Sequence, residues 1–142
     1  MKHIRDLLAE KGGDICTISP DATVLDAVKL LADKNIGALV VVREDQLVGV
    51  MSERDYLRKI ALTKRDSSAV KVAEIMTSPV ACARPEQSVE ECMAMMTDKR
   101  IRHLPVVEND SLRGVISIGD LVKAIIAEQK FIIEQLEHYI AG

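Results

Sequence analysis

The chain has 142 residues, 48% of them hydrophobic but only 2% aromatic with no Trp, and carries a formal net charge of −3. That is one domain's length, with enough Val, Ile, Leu, Met and Ala to fill a core. The acidic balance and the scarcity of aromatic rings argue against nucleic-acid binding by overall charge or by base stacking, and no apolar run approaches the ~18 residues of a membrane span.

Taken in order, residues 3–11 (HIRDLLAEK) predict a short helix with Ile4, Leu7 and Leu8 at helical spacing, stopped by Gly12-Gly13. Charges run throughout MKHIRDLLAEKGG, so it is not a secretory signal and a cytoplasmic location is expected. Ile15 to Ile18 is a short extended piece that Ser19-Pro20 breaks. Thr23 can cap the next helix, whose buried stripe is Val24, Ala27, Val28 and Leu31, with Asn35 and Gly37 at its end. Ala38–Val42 is a continuous apolar run, the mark of a strand covered on both faces. Arg43-Glu44-Asp45-Gln46 is a polar turn, Leu47–Met51 returns as a strand, and Ser52 opens a helix to about Leu62.

Thr63–Ser68 is the one plausible linker, and Val70–Met76 a short helix. A second series comes next, with the stripe Val89, Cys92, Met93 and Met96, the strands Leu104–Val107 and Leu112–Ser117, and a last helix that reaches about Tyr139 with or without a break near Glu128. Ile125, Ile126, Ile132, Ile133, Leu136 and Ile140 on that helix exceed what one small domain needs to bury, which points to a partner surface.

The two series are one unit duplicated. Thr17–Ile60 lies over Cys82–Ile125 without a gap at a constant offset of 65 residues, pairing Pro20 with Pro85, Asp33-Lys34 with Asp98-Lys99, and Val41-Val42 with Val106-Val107. Each copy reads strand, helix, strand, strand, helix, too little to bury both faces of its own sheet. The expectation is therefore a mixed α/β (α+β) fold of two βαββα repeats, packed with pseudo-two-fold symmetry and leaving two clefts between them. Cys16, Cys82 and Cys92 form no CxxC and are expected as reduced thiols; Cys92 falls on an apolar face, Cys16 and Cys82 near the repeat starts.

The centre of each copy is GVMSERD, Gly49 to Asp55, and its twin GVISIGD, Gly114 to Asp120. Ser52 with Asp55, and Ser117 with Asp120, are good helix caps: the serine accepts from a backbone N–H and the carboxylate suits the positive helix end. The same carboxylate, facing a cleft, could accept from both hydroxyls of a ribose, and the motif alone decides between neither reading. Its surroundings favour the second. Ile101-Arg102-His103-Leu104-Pro105 brings Arg102 and His103, with Arg100 nearby, to the start of a buried strand, as phosphate-binding groups. The matching Gly37 and Ala38 are small and leave room for a planar base. Arg54 adds a cation beside Asp55, where the second copy has Gly119.

With TVLDAVKLLADKNIGALVVV and its return GVMSERD, and SVEECMAMMTDKRIRHLPVV with GVISIGD, the sequence resembles the CBS-domain pair, or Bateman module. It is similar to small stand-alone bacterial pairs and their plant organellar relatives. Ala73-Glu74-Ile75-Met76-Thr77 looks like the segment that opens the second unit of such pairs. The resemblance implies a single domain over 1–142, with repeats at 14–62 and 77–127 and a helical extension at 128–142. It implies AMP, ATP or NAD in the clefts, with Asp55 and Asp120 on the ribose. Ile36, Gly37 and Ala38 would line the Asp120 cleft, and Ile101, Arg102 and His103 that of Asp55. Backbone near Thr17 and Ala83 would meet the base. The protein so implied is a non-catalytic nucleotide sensor, a homodimer acting on an effector protein not named by the sequence, with no metal, nucleic acid or membrane partner. The alternatives are a partner-binding scaffold with vestigial clefts, or an enzyme using His103 or Cys82.

Overall fold

The duplication recurs in the backbone itself. In the computed structural model, which describes residues 2–12 and 15–141, six of the seven left-handed non-glycine residues among those described come in pairs 65 apart, Asn35 and Arg100, Glu44 and Asn109, Asp45 and Asp110, with Lys64 the exception. The first pair ends a helix in each copy, and the other two form two-residue hairpin turns with both central residues at positive φ. Gly13, expected in the first helix stop, and Asp14, expected to open the first repeat, lie outside the described residues, as do Met1 and Gly142. The chain divides into two compact units. One holds the first repeat with the segment running to Ala81; the other joins the N-terminal helix to most of the second repeat.

In the first unit, β1 (Thr17–Ile18) runs parallel to β2 (Ala38–Arg43), and β2 antiparallel to β3 (Gln46–Ser52), in the order β1-β2-β3. Helix α2 (Val24–Lys34) starts where the Thr23 hydroxyl accepts from the Asp26 N–H at 3.1 Å, and buries Val24, Ala27 and Leu31. Leu39, Val40 and Val41 are all buried, as a strand with both faces covered must be. After β3, α3 (Glu53–Tyr56) passes directly into a π-helical stretch, Leu57–Ala61, in which the Leu62 N–H reaches the Leu57 carbonyl at 3.0 Å. The expected helix thus has its expected length but a widened second half. Helix α4 (Val72–Ile75) follows, and Thr77 then bridges the far side of β3: the Thr77 and Val50 N–H groups each donate to the other's carbonyl, at 2.8 and 3.1 Å. The segment expected to open the second repeat therefore packs on the sheet of the first.

The second unit begins with α1 (Ile4–Lys11), which buries Ile4 and Leu7. The Ile4 and Arg5 N–H groups donate to the Gln87 and Pro85 carbonyls, fastening α1 to the start of the second repeat. Helix α5 (Val89–Lys99) is capped by Ser88 and buries Val89, Cys92 and Met96; β4 (His103–Glu108) and β5 (Ser111–Ser117) form a hairpin; α6 runs unbroken from Ile118 to Ala141. The opening strand of this copy shrinks to one parallel bridge, Ala83 with Val106. Pro105 accounts for it. The equivalent Val40 donates its N–H to the Cys16 carbonyl at 3.4 Å, and proline has no N–H to give.

Candidate functional site

Each Ser-x-x-Asp motif closes a reciprocal capping box. The Ser52 hydroxyl accepts from the Asp55 N–H at 3.2 Å while Asp55 Oδ2 accepts from the Ser52 N–H at 3.0 Å. The corresponding distances for Ser117 and Asp120 are 3.1 and 2.8 Å. A strand turning straight into a helix leaves the first N–H groups of that helix without intrahelical partners, and the box satisfies two of them. One more is met by the residue just before the first strand of the hairpin: the Glu53 N–H donates to the Gly37 carbonyl, ahead of β2, at 3.0 Å, and the Ile118 N–H to the Arg102 carbonyl at 2.8 Å. Gly37 and Arg102, both named from the sequence, are thus each placed beside the motif of their own repeat.

Within the first unit, Ala38 pairs with Ser52 across β2 and β3, Thr17 lies on the neighbouring β1, Ile36 packs against the apolar core, and Arg54 stands in the first turn with Asp55. Within the second, Arg100 is the left-handed cap of α5, followed by Ile101 and Arg102. His103 opens β4, Pro105 and Ala83 meet at the bridge, and Gly119 with Asp120 starts α6.

The two carboxylates have different companions. Asp55 is only 8% exposed, and both of its oxygens are occupied. Thr77 donates to Oδ1 at 3.2 Å and lies 3.4 Å from Oδ2, the Ser52 hydroxyl is 3.1 Å from Oδ2, and Lys59 Nζ stands 3.2 Å from Oδ1 while also donating to the Ile75 carbonyl at 2.8 Å. Asp120 keeps its side chain 25% exposed and takes its bonds on one oxygen: the Ser117 N–H and Lys11 Nζ, the latter at 2.7 Å, both reach Oδ2. Lys11 also donates to the Val115 carbonyl at 2.8 Å. Burial alone would raise the Asp120 pKa. The Lys11 hydrogen bond, the Ser117 N–H, the Lys11 charge and the Ser117 hydroxyl outweigh it, so the carboxyl sits below its ordinary value of 3.8.

Lys11, Lys59 and Thr77 are absent from the residues that the motifs single out. Lys59 was within reach of inference, being one helical turn past Asp55. Lys11 and Thr77 lie outside the aligned stretches Thr17–Ile60 and Cys82–Ile125; Thr77 ends the segment that resembles the opening of the second unit, but nothing local marks either as a neighbour of an aspartate. Burial raises the thiol pKa of Cys82, and burial with the Glu91 charge pushes Cys92 up to about 11; neither thiol is activated. A shallow depression on α5 lined by Glu91, Ala94, Met95, Thr97 and Asp98 contains none of the sequence-predicted residues. Among the described residues no helix is long and apolar enough to cross a membrane.

Two small sheet-and-helix units, each carrying a strand, a serine cap and a helix-borne aspartate in succession, define a tandem-repeat module of the kind that CBS domains form. The CBS domain family model matches residues 4–62 and 72–127, and the chain belongs to that family. It is 41% identical over 148 residues to the mitochondrial CBS domain-containing protein CBSX3 of Arabidopsis thaliana, covering 98% of this chain and 72% of that protein. A CBS-domain protein of known structure from Burkholderia ambifaria superposes with a TM-score of 0.86 at 48% identity, covering 90% of this chain and 96% of that one. The CBS domain pair of protein MJ0100, solved in complex with 5′-methylthioadenosine and S-adenosyl-L-methionine, shares the fold at a TM-score of 0.79 and 24% identity, covering 90% of this chain and 98% of that one.

Proposed function

We propose that the protein is a regulatory module that binds an adenosine nucleotide (AMP, ATP or NAD) through its Ser-x-x-Asp motifs and performs no chemistry on it. The observation that carries the reading is Asp120: an ionised carboxylate at a helix start, partly open to solvent, whose bonds from the Ser117 N–H and Lys11 both gather on Oδ2. A cis-diol needs such an acceptor. That the MJ0100 pair holds two adenosine-bearing ligands supports the choice of ligand class, because it shows that the fold accommodates adenosine. Ile36, Gly37 and Ala38, and Ile101, Arg102 and His103, with Arg54 and Arg100, are the proposed contacts to base and phosphate. Against the enzyme reading stand the unactivated Cys82 and the engagement of both aspartates in caps.

The partner proposed for α6 is a second copy of the chain. Val122, Ile126, Ile133, Leu136 and Ile140 are exposed on it, at spacings of four and three residues interrupted only by Gln129, which is the pattern of a helix seam. An effector protein would respond to the nucleotide state of the dimer. The test is mass analysis of small molecules released from the purified protein by denaturation, followed by calorimetry with the compounds found. An adenosine compound that rebinds is the expected result. Protein that releases none and gives no heat with AMP, ATP or NAD would leave the scaffold reading.

A further inference from the structure

Equal motifs do not make equal sites here. An aspartate that holds a ribose must offer oxygen lone pairs to two adjacent hydroxyls, and a carboxylate has about four lone-pair positions to give. At Asp55 the protein already fills both oxygens, with Ser52, Thr77 and the Lys59 ammonium, and only 8% of the residue remains exposed. At Asp120 the protein's bonds gather on Oδ2. The source of the difference is visible in the sequence once the structure shows which groups matter. Lys59 corresponds to Ala124 in the second copy, 65 residues on, and that alanine is buried. Thr77 directly follows Met76, the side chain lying over Gly49; in the other unit Leu8 lies over Gly114, and the residue after it is Ala9. Neither Ala124 nor Ala9 has a polar side chain to bring to Asp120.

We infer that Thr77 and Lys59 are specificity-determining residues that hold Asp55 closed, so that a nucleotide engages Asp120 first and reaches Asp55 only by displacing them. This rests on the adenosine reading above and assigns an order to its two motifs. The lock has a structural motive. Thr77 ties the residues after α4 to Asp55 in the first turn of α3, and Lys59 joins Asp55 to the Ile75 carbonyl of α4, so a ligand at Asp55 must displace both side chains, whereas one at Asp120 keeps its cap and has Oδ1 to accept with.

The test is calorimetric titration of AMP, with 2′-deoxy-AMP as the diol probe, into wild type and the variants Thr77→Val, Thr77→Ser, Lys59→Met, Asp55→Asn and Asp120→Asn. Wild type should show a tight and a weak event. Asp120→Asn should remove the tight one, by about 10- to 100-fold in affinity. Thr77→Val and Lys59→Met should each strengthen the weak event by about fivefold, with Thr77→Ser like wild type. A gain of affinity is not what general structural damage produces, and the Thr77 variants keep the inference testable even where buried Asp55→Asn does not fold. A tight event lost in Asp55→Asn instead, two identical events, or no gain from opening the lock would overturn the inference while leaving the adenosine reading intact. Absence of any AMP binding to wild type would overturn both.

Discussion

Thr77 donates its hydroxyl to Asp55 across 22 residues of sequence, at 3.2 Å, while its backbone pairs with Val50 on β3. One residue thereby pairs with the far edge of β3 and occupies the carboxylate in the first turn of the helix that follows. The second repeat has no such residue, and its aspartate is held instead by Lys11 of α1.

The Lys11 tie makes a prediction about pH. Because the folded Asp120 pKa is lowered, its contribution to stability is fully present above the ordinary value of 3.8 and is lost as pH falls through the lowered folded value. Lys11→Met should move the Asp120 titration, followed by carboxyl carbon NMR, back towards 3.8. Since Lys11 is well exposed, the cost at neutral pH should stay within about 1 kcal/mol.

Gly114 tests how α1 is fastened. A Cβ built there would come 2.5 Å from Leu8 Cδ2. Gly114→Ala should therefore make the half-buried Leu8 side chain shift its rotamer and cost about 0.5–1.5 kcal/mol, measured by denaturant unfolding. In a Leu8→Ala background the same substitution should cost less. Equal costs in the two backgrounds would show that α1 does not press on β5.

The phosphate assignment rests on Arg102. Arg102→Ala should weaken AMP, ATP and NAD while leaving adenosine almost unchanged, because only the phosphorylated ligands use a charge-assisted contact. An equal loss for adenosine and AMP would remove Arg102 from the phosphate site.

The exposed face of α6 predicts the oligomer. Ile133→Glu with Leu136→Glu should convert a dimer to a monomer in analytical ultracentrifugation, with the nucleotide-binding units still folded, since both side chains are more than half exposed in the single chain. An unchanged mass would place the partner surface elsewhere.

Much of the fold was legible in the sequence because it is carried by local chemistry. The cap Thr23, the buried run within Ala38–Val42 and the polar turn at residues 43–46 follow from residue type and spacing, and the 65-residue offset repeats the helix caps and hairpin turns in the second copy. The features that were not legible depend on packing between distant segments. The π-helical stretch has no signature in LRKIA, and α4 packs on the repeat before it rather than the one it precedes in the chain. The state of Asp55 depends on Thr77, 22 residues away and outside the aligned repeat. The sequence shows two equivalent aspartates; the inequality lies in the groups that surround them.

The most direct measurement is a paired titration of the wild-type protein with AMP and 2′-deoxy-AMP under the same conditions. If a carboxylate of the Ser-x-x-Asp motif holds the ribose, removing one hydroxyl takes away a hydrogen bond to a charged group, worth about 1.5–3 kcal/mol. The deoxy compound should then bind at least about tenfold more weakly. Equal affinities for the two compounds would contradict the account, because the aspartates would then be helix caps and nothing more.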